Sequence, residues 1–306
     1  MRMKSKSNNS LTYLLLIGAM LFWGLSYIWY KQVLDFIKPI TLILSRLVIS
    51  SVVMAVYLKV FKKIQPITKQ NLKYFLLLAL FEPFFYFICE TYGLLYISSS
   101  LASIIISTIP LFTPFSAYIF FKEKLSVNNY FGLFISFVGV LTVILSDMQD
   151  YDFSIKGVIL VFLAVLSTQG YIVILRKLSN DYSATVIVSY QNMIGAIYFI
   201  PLFLIFEKDY FNFQNILLCW KPLLGMSVLA SSLAFMFFTK GVKELGMARA
   251  NVFSNFIPVF TLIFGVILLG ESVSYIKMVG VCITIWGLVM TQSVKFPRLK
   301  AYSRVK

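Results

Sequence analysis

IPLFTPFSAYIFFKEKLS at residues 109–126 and IPVFTLIFGVILLGESVS at residues 257–274 are two copies of one pattern, an apolar run opened by Ile-Pro and closed by Glu-x-x-Ser. Extended without a gap, Thr91–Thr142 against Thr239–Met290 gives 13 identities in 52 positions. Gly93 and Gly241, Pro110 and Pro258, Gly132 and Gly280, Gly139 and Gly287 all coincide. Such residues are selected by backbone geometry and close packing rather than by hydrophobicity alone. The chain is built twice. Upstream, an offset of 145 aligns the halves more weakly and pairs Ala19 with Ala164, Lys31 with Arg176 and Arg46 with Gln191.

The chain has 306 residues, 59% hydrophobic and 13% charged, with a mean hydropathy of +0.86. A soluble domain has about 45–50% apolar and about 25% charged residues, so the solvent of this chain is a bilayer. Apolar stretches near the roughly 20 residues that cross hydrocarbon recur throughout. Ten are expected: Leu11–Tyr30, Ile40–Val60, Leu72–Tyr96, Ser99–Phe121, Val127–Leu145, Gly157–Leu175, Ala184–Phe206, Ile216–Thr239, Ala248–Leu269 and Tyr275–Thr291. With the N-terminus in the cytoplasm, 20 Lys and Arg fall on the cytoplasmic side, six outside, and Arg46 within a span. The positive-inside rule fixes that orientation, with both termini cytoplasmic.

Five helices per half is an odd number, so equivalent helices run in opposite directions. The expected fold is therefore an all-α polytopic membrane protein of ten transmembrane helices in two inverted five-helix repeats. The repeats cover residues 1–146 and 155–293, and a basic cytoplasmic tail follows at 294–306. Such architectures put a substrate site near the midplane between halves, so transport is suggested by topology alone. The leading MRMKSKSNNS lacks a small-residue cleavage site and is expected to be retained.

Composition also narrows the chemistry. Cys89, Cys219 and Cys282 lie in or beside apolar runs without paired spacing, so neither a disulfide framework nor a metal site is signalled. With no histidine in the chain, carboxylates are the natural proton carriers. The net charge of +15 belongs to basic residues flanking apolar runs, which points to anionic lipid headgroups and not nucleic acid. No GxxxxGK[ST] sequence occurs, so no cofactor is expected and the energy source is an ion or substrate gradient.

FWGLSYI at residues 22–28, Pro39 leading to Arg46, and the Pro-to-Glu hairpins of both halves resemble the EamA family of the drug/metabolite transporter superfamily. The resemblance covers nearly the whole chain. It implies a cavity lined mainly by helices one, three, four, six, eight and nine, and export of amino acids or other metabolites from the inner (plasma) membrane. It does not imply a particular substrate. Gln169-Gly170 stands near where the first half has Trp23-Gly24, so assignments on the first helix do not mirror.

Ionisable residues inside a bilayer face the protein interior or water. Arg46 and Glu90 fall at matching depths, about 10 and about 8 Å from the outer ends of their helices at 1.5 Å per residue. They form either a structural pair or a gating or substrate-contacting one. Glu82 is more central, precedes Pro83 and has no obvious cation. It is either a proton-coupling carboxyl, with Glu90 as alternate, or a hydrogen-bonded packing residue. Tyr86 lies one turn from both glutamates.

Ser103 and Ser107 continue a polar stripe from Ser99, and their repeat mates are Asn251 and Asn255. These residues either pack helices or line a shared cavity. Trp23, Ser26 and Tyr27 share a face of helix one, as an aromatic clamp or as packing. Gln169 is the favoured cavity residue over Tyr190 and Gln191. Glu123 and Glu271 are read as turn residues, three before the helix N-caps Ser126 and Ser274.

The expected function is a secondary transporter, an exporter of small metabolites with protons as a candidate coupling ion. The alternatives are an uncoupled facilitator and an intramembrane enzyme, which the absence of histidine and the scattered carboxylates disfavour. The orientation is directly testable. In a Cys-free background, cysteine at positions 62 and 69 should resist impermeant labelling of intact cells, while positions 150 and 208 should react. Labelling at position 62 would reverse the assignment.

Overall fold

The computed structural model describes residues 9–121, 127–147, 154–270 and 274–292. Every long element among them is a helix. In chain order these are α1 (Ser10–Leu34), α2 (Pro39–Val60), α3 (Lys69–Gly93), α4 (Ser99–Phe120), α5 (Val127–Asp147), α6 (Ile155–Leu178), α7 (Ala184–Phe206), α8 (Trp220–Leu245), α9 (Arg249–Leu269) and α10 (Tyr275–Gln292). Eight of them are long and apolar enough to cross a membrane; α5 and α10 carry shorter apolar stretches, Phe134–Ser146 and Tyr275–Gly287. Their outward faces are apolar as lipid requires: Val48, Val52 and Val56 are exposed on α2, while Leu47, Ser50 and Met54 point inward. The chain is thus a polytopic integral membrane protein.

Helix ends follow local chemistry. Pro39 opens α2 behind an extended Lys38. Ser98 and Ser183 cap α4 and α7 by accepting from the Leu101 and Val186 N–H groups. Ser274 Oγ accepts from Lys277 N–H at 3.2 Å, as an N-cap of α10 should. Glu123, Ser126 and Glu271 lie outside the described residues, as does the segment 294–306.

Packing reveals a pseudo-twofold. A methyl group at Gly139 would strike the backbone of Thr284 and the Gly280 carbonyl, and one at Gly287 would strike the backbone of Ser136 and the Gly132 carbonyl. At the 148 offset these are the same contact seen from each side, the reciprocity expected of a twofold interface. Gly132 meets Gly287, Gly139 meets Gly280 and Ser146 meets Ser274, so α5 and α10 run antiparallel. The same holds for α2 and α7, where Thr41 meets Glu207 and Ser50 meets Asn192. Gly93 against Val161 between α3 and α6 repeats as Gly241 against Leu16 between α8 and α1.

Both α3 and α8 are interrupted by π-helical turns, Leu80–Phe85 and Met226–Ala234, which overlap at the 148 offset. In α3 the interruption is a true break: Glu82 has φ −147° and ψ 116° and precedes a cis Pro83. Glycines make room for it, since Phe81 packs on Gly170 of α6 and Pro83 on Gly195 of α7. Ser167 Oγ of α6 donates to the Phe81 carbonyl at 2.7 Å, satisfying a backbone acceptor beside the break.

The α5–α10 contact predicts a stability effect. Gly139→Ala and Gly287→Ala each place a methyl group against backbone and should destabilise by about 1–3 kcal/mol, read as a lowered Tm in detergent. Gly18→Ala, where the nearest atom is a Phe237 ring carbon at 3.7 Å, should leave Tm nearly unchanged.

Candidate functional site

The break in α3 opens onto a cavity of about 50 Å³ in the middle of the bundle. A water needs roughly 10–15 Å³ by such a measure, so a few waters fit. Its walls come from α1 (Trp23, Ser26, Tyr27), α2 (Arg46), α3 (Glu82, Tyr86, Phe87, Glu90), α4 (Ile106, Ile109), α6 (Thr168, Tyr171), α8 (Phe235, Phe238) and α9 (Asn251, Ser254, Ile257). The helices expected from the resemblance all contribute, and α2 adds Arg46.

Glu90, buried to 4% exposure, is surrounded by tyrosines. The Tyr27 and Tyr86 hydroxyls donate to Oε1 at 2.7 and 2.8 Å, and Tyr30 donates to Oε2 at 2.9 Å. Arg46 does not pair with Glu90 directly: its Nη1 donates to the Tyr30 hydroxyl, which relays to the carboxylate. Arg46 Nε donates to Ser231 Oγ in the π-helical turn of α8, and the guanidinium lies 4.2 Å from the centre of the Phe87 ring. Behind it Asn192 of α7 donates to Ser50 Oγ at 2.7 Å and to the Ser231 carbonyl at 2.9 Å. The depth match read from sequence thus resolves into a bridged pair with a polar brace across α2, α7 and α8.

Glu82 is different. It is 5% exposed and lines the cavity, and among the described residues no hydrogen bond or ion pair reaches its carboxylate. Tyr171, 1% exposed, also lines the cavity, and its hydroxyl lies beside the Thr239 and Gln191 side chains.

Trp23 is fixed by a bond from Nε1 to the Ala230 carbonyl at 3.3 Å and by edge packing on Phe235 with ring centres 5.2 Å apart. Ser26 bonds the Trp23 carbonyl at 2.7 Å, and Asn251 Nδ2 donates to Thr113 Oγ1 at 2.8 Å. Ser103 and Ser107 instead turn back on the Ser100 and Ile104 carbonyls, away from the cavity wall. Gln169 is occupied by Ser116, at 3.1 Å, and by the Ile109 carbonyl, at 3.3 Å. Asn255 is 3% exposed with both amide atoms unpartnered, and so is Gln191 at 0%.

Thr168, Tyr171, Phe235, Phe238 and Ser254 went unread in the sequence, although the repeat offsets carry the signal. The 145 offset takes Trp23 to Thr168 and Ser26 to Tyr171; the 148 offset takes Phe87 to Phe235, Glu90 to Phe238, Ile106 to Ser254 and Ile109 to Ile257. Both members of every pair line the cavity. The cavity straddles the pseudo-twofold while its charges do not: Arg46, Glu82 and Glu90 belong to the first half, and Gln191, Ala230 and Phe238 stand at the equivalent positions.

The bridge makes a stability prediction. Arg46→Ala leaves Glu90 buried without its cation and should cost about 3–5 kcal/mol, whereas adding Glu90→Gln should restore much of the loss in Tm. Repeating the double-mutant cycle in Tyr30→Phe should shrink the coupling energy; unchanged coupling would mean the two charges interact without the hydroxyl.

The model of the EamA-like transporter family matches twice, over residues 10–145 and 155–292. An uncharacterized transporter of Bacillus subtilis, YetK, is 25% identical over 91% of this chain and 86% of its own length. An uncharacterized transporter of Archaeoglobus fulgidus is 25% identical over 87% of this chain and 93% of its own. A crystal structure described only as that of a protein superposes with a TM-score of 0.70 at 14% identity, covering 92% of this chain and 97% of that one, a likeness of fold. The two matched halves and the membrane-embedded central cavity agree: the chain is a membrane transporter belonging to the EamA-like transporter family of the drug/metabolite transporter superfamily.

Proposed function

We propose that the chain is a secondary transporter that exports amino acids or other small metabolites by alternating access, with protons as the coupling ion. It would cross the inner (plasma) membrane ten times, as two inverted five-helix repeats over residues 1–146 and 155–293. Both termini, including the basic tail 294–306, would lie in the cytoplasm. The antiparallel contacts between repeat-equivalent helices, α5 with α10 and α2 with α7, support the inverted arrangement.

One observation carries the reading: the central cavity is lined by repeat-equivalent residues from both halves, with an unpartnered carboxyl, Glu82, at a break in its helix. A site shared by two equivalent halves can be exposed first to one side and then to the other by rocking one half against its mate. A cavity of about 50 Å³ has no space for a metabolite, so binding requires the walls to part. Glu82 can exchange its proton with whichever side the cavity faces, while Glu90 is committed to three tyrosines.

Proteoliposome flux tests this. Glu82→Gln keeps the shape of the protonated side chain and should retain substrate exchange but lose accumulation driven by an imposed pH gradient. Retained pH-driven accumulation in both Glu82→Gln and Glu90→Gln would remove protons from these residues. Flux of the native protein that ignores pH would leave an uncoupled facilitator.

A further inference from the structure

The charges in the cavity do not cancel. Arg46 is matched by Glu90 through the shared Tyr30 hydroxyl, and its Nε is held by Ser231. Glu82 remains as an unpaired carboxyl, and the repeat-equivalent positions of all three charged residues are neutral. Around Glu82 the wall is aromatic, with Trp23, Tyr86, Phe87 and Phe235 and, on the α6 side, Tyr171, whose hydroxyl keeps acceptor lone pairs beside Thr239 and Gln191. Carboxylate, hydroxyl oxygen and ring faces all attract positive charge.

We propose that the substrate is bound as an organic cation, an ammonium group on an apolar or aromatic body. Its nitrogen is seated between the Glu82 carboxylate and the Tyr171 hydroxyl, and its body lies against the rings of Trp23 and Phe235. This rests on the transport reading given above and narrows its substrate class. A primary ammonium has three N–H donors; Glu82 and Tyr171 supply two acceptors, and ring faces take the remaining side. A zwitterion brings a second charge, a carboxylate, whose natural cation is already committed to Tyr30, Ser231 and the Phe87 face. An organic anion meets Glu82 and Glu90 with no unmatched cation among the described lining residues. A neutral solute offers the Glu82 carboxylate no opposite charge, so the group takes up a proton and the pocket gains nothing from its acidity.

Three solutes of one shape separate these cases: phenethylamine, phenylalanine and 3-phenylpropionate, which differ only in their charged groups. Binding to the purified full chain, read by quenching of tryptophan fluorescence and by isothermal titration, should favour phenethylamine over both others by about tenfold or more, the scale of an uncompensated charge in a shielded site. Glu82→Gln should abolish that preference, with thermal unfolding checking that the variant is folded. Should it not fold, Tyr171→Phe provides the second arm and should weaken amine binding several-fold while leaving the other two solutes unaffected. Equal affinity for the three solutes, tighter binding of the zwitterion or the anion, or no amine binding would overturn the proposal. Proteoliposome flux of the same solutes reads transport separately: phenylalanine flux without amine binding would keep the transporter and discard the cation, whereas amine binding without flux of any solute would count against transport while the cation site stands.

Discussion

A guanidinium and a carboxylate sit deep in a bundle surrounded by lipid, and the middle of the structure is arranged around making that tolerable. Charges removed from water need hydrogen bonds as well as opposite charge. Glu90 has three tyrosine hydroxyls and Arg46 has a hydroxyl, a serine and two ring faces. The partners come from α1, α2, α3 and α8, so satisfying two charges fixes the mutual positions of four helices. Ser50, Asn192 and Ser232 extend the brace to α7. A network with every member paired specifies one arrangement, because loss of any member strands the rest.

Against that rigid cluster the Glu82 segment is loosely committed. Its backbone leaves the helix, and the carboxyl has no partner among the described residues. The same turn of α8 is also π-helical but carries Ala230, Ser231 and Ser232, and the two serine hydroxyls brace Arg46 and Ser50. One irregularity was thus inherited by both halves and put to different uses: in α8 it holds a charge in place, and in α3 it leaves one available.

The fold was legible where duplication left matching glycines and prolines, because those residues answer to backbone proximity and survive divergence of the surrounding side chains. Gly139 and Gly287, matched in the sequence as close-packing residues, lie in the α5–α10 contact. The cavity wall was legible where charge in an apolar run demanded a reason, as with Arg46, Glu82 and Glu90. It was illegible where apolar residues line the wall, since Phe235 and Phe238 look like any other ring in a chain with 30 phenylalanines. Ser103, Ser107 and Gln169, read as cavity candidates, bond neighbouring groups of the bundle. A polar side chain on a membrane helix can satisfy itself on a nearby carbonyl, and sequence alone does not say which does so. Carrying each charged position through the repeat offset would have exposed the lining residues and the neutral counterparts together.

The backbone of the two halves is matched while their charges are not, and the match extends to the ends of the bundle. Lys31 Nζ donates to the Leu94 carbonyl at 2.8 Å, and Arg176 Nη1 donates to the Val242 carbonyl at 3.1 Å. At offsets of 145 and 148 these are one latch made twice, a cation on the last carbonyls of the third helix of each half. Because α1 and α8 are antiparallel, with Leu16 on Gly241 and Trp29 on Gly225, the two latches lie at opposite ends of the bundle. Each end also has an acidic clamp of its own. Glu207 accepts from the Thr41 N–H at 2.7 Å beside the first latch, and Glu244 accepts from Thr12 beside the second. Ends closed by equivalent devices can be near in free energy, and a ligand moves such a balance only through contacts that differ between the two states. The cavity touches both halves at matched positions but presents its charges from one, so the field inside it is set by the first half although its walls are shared.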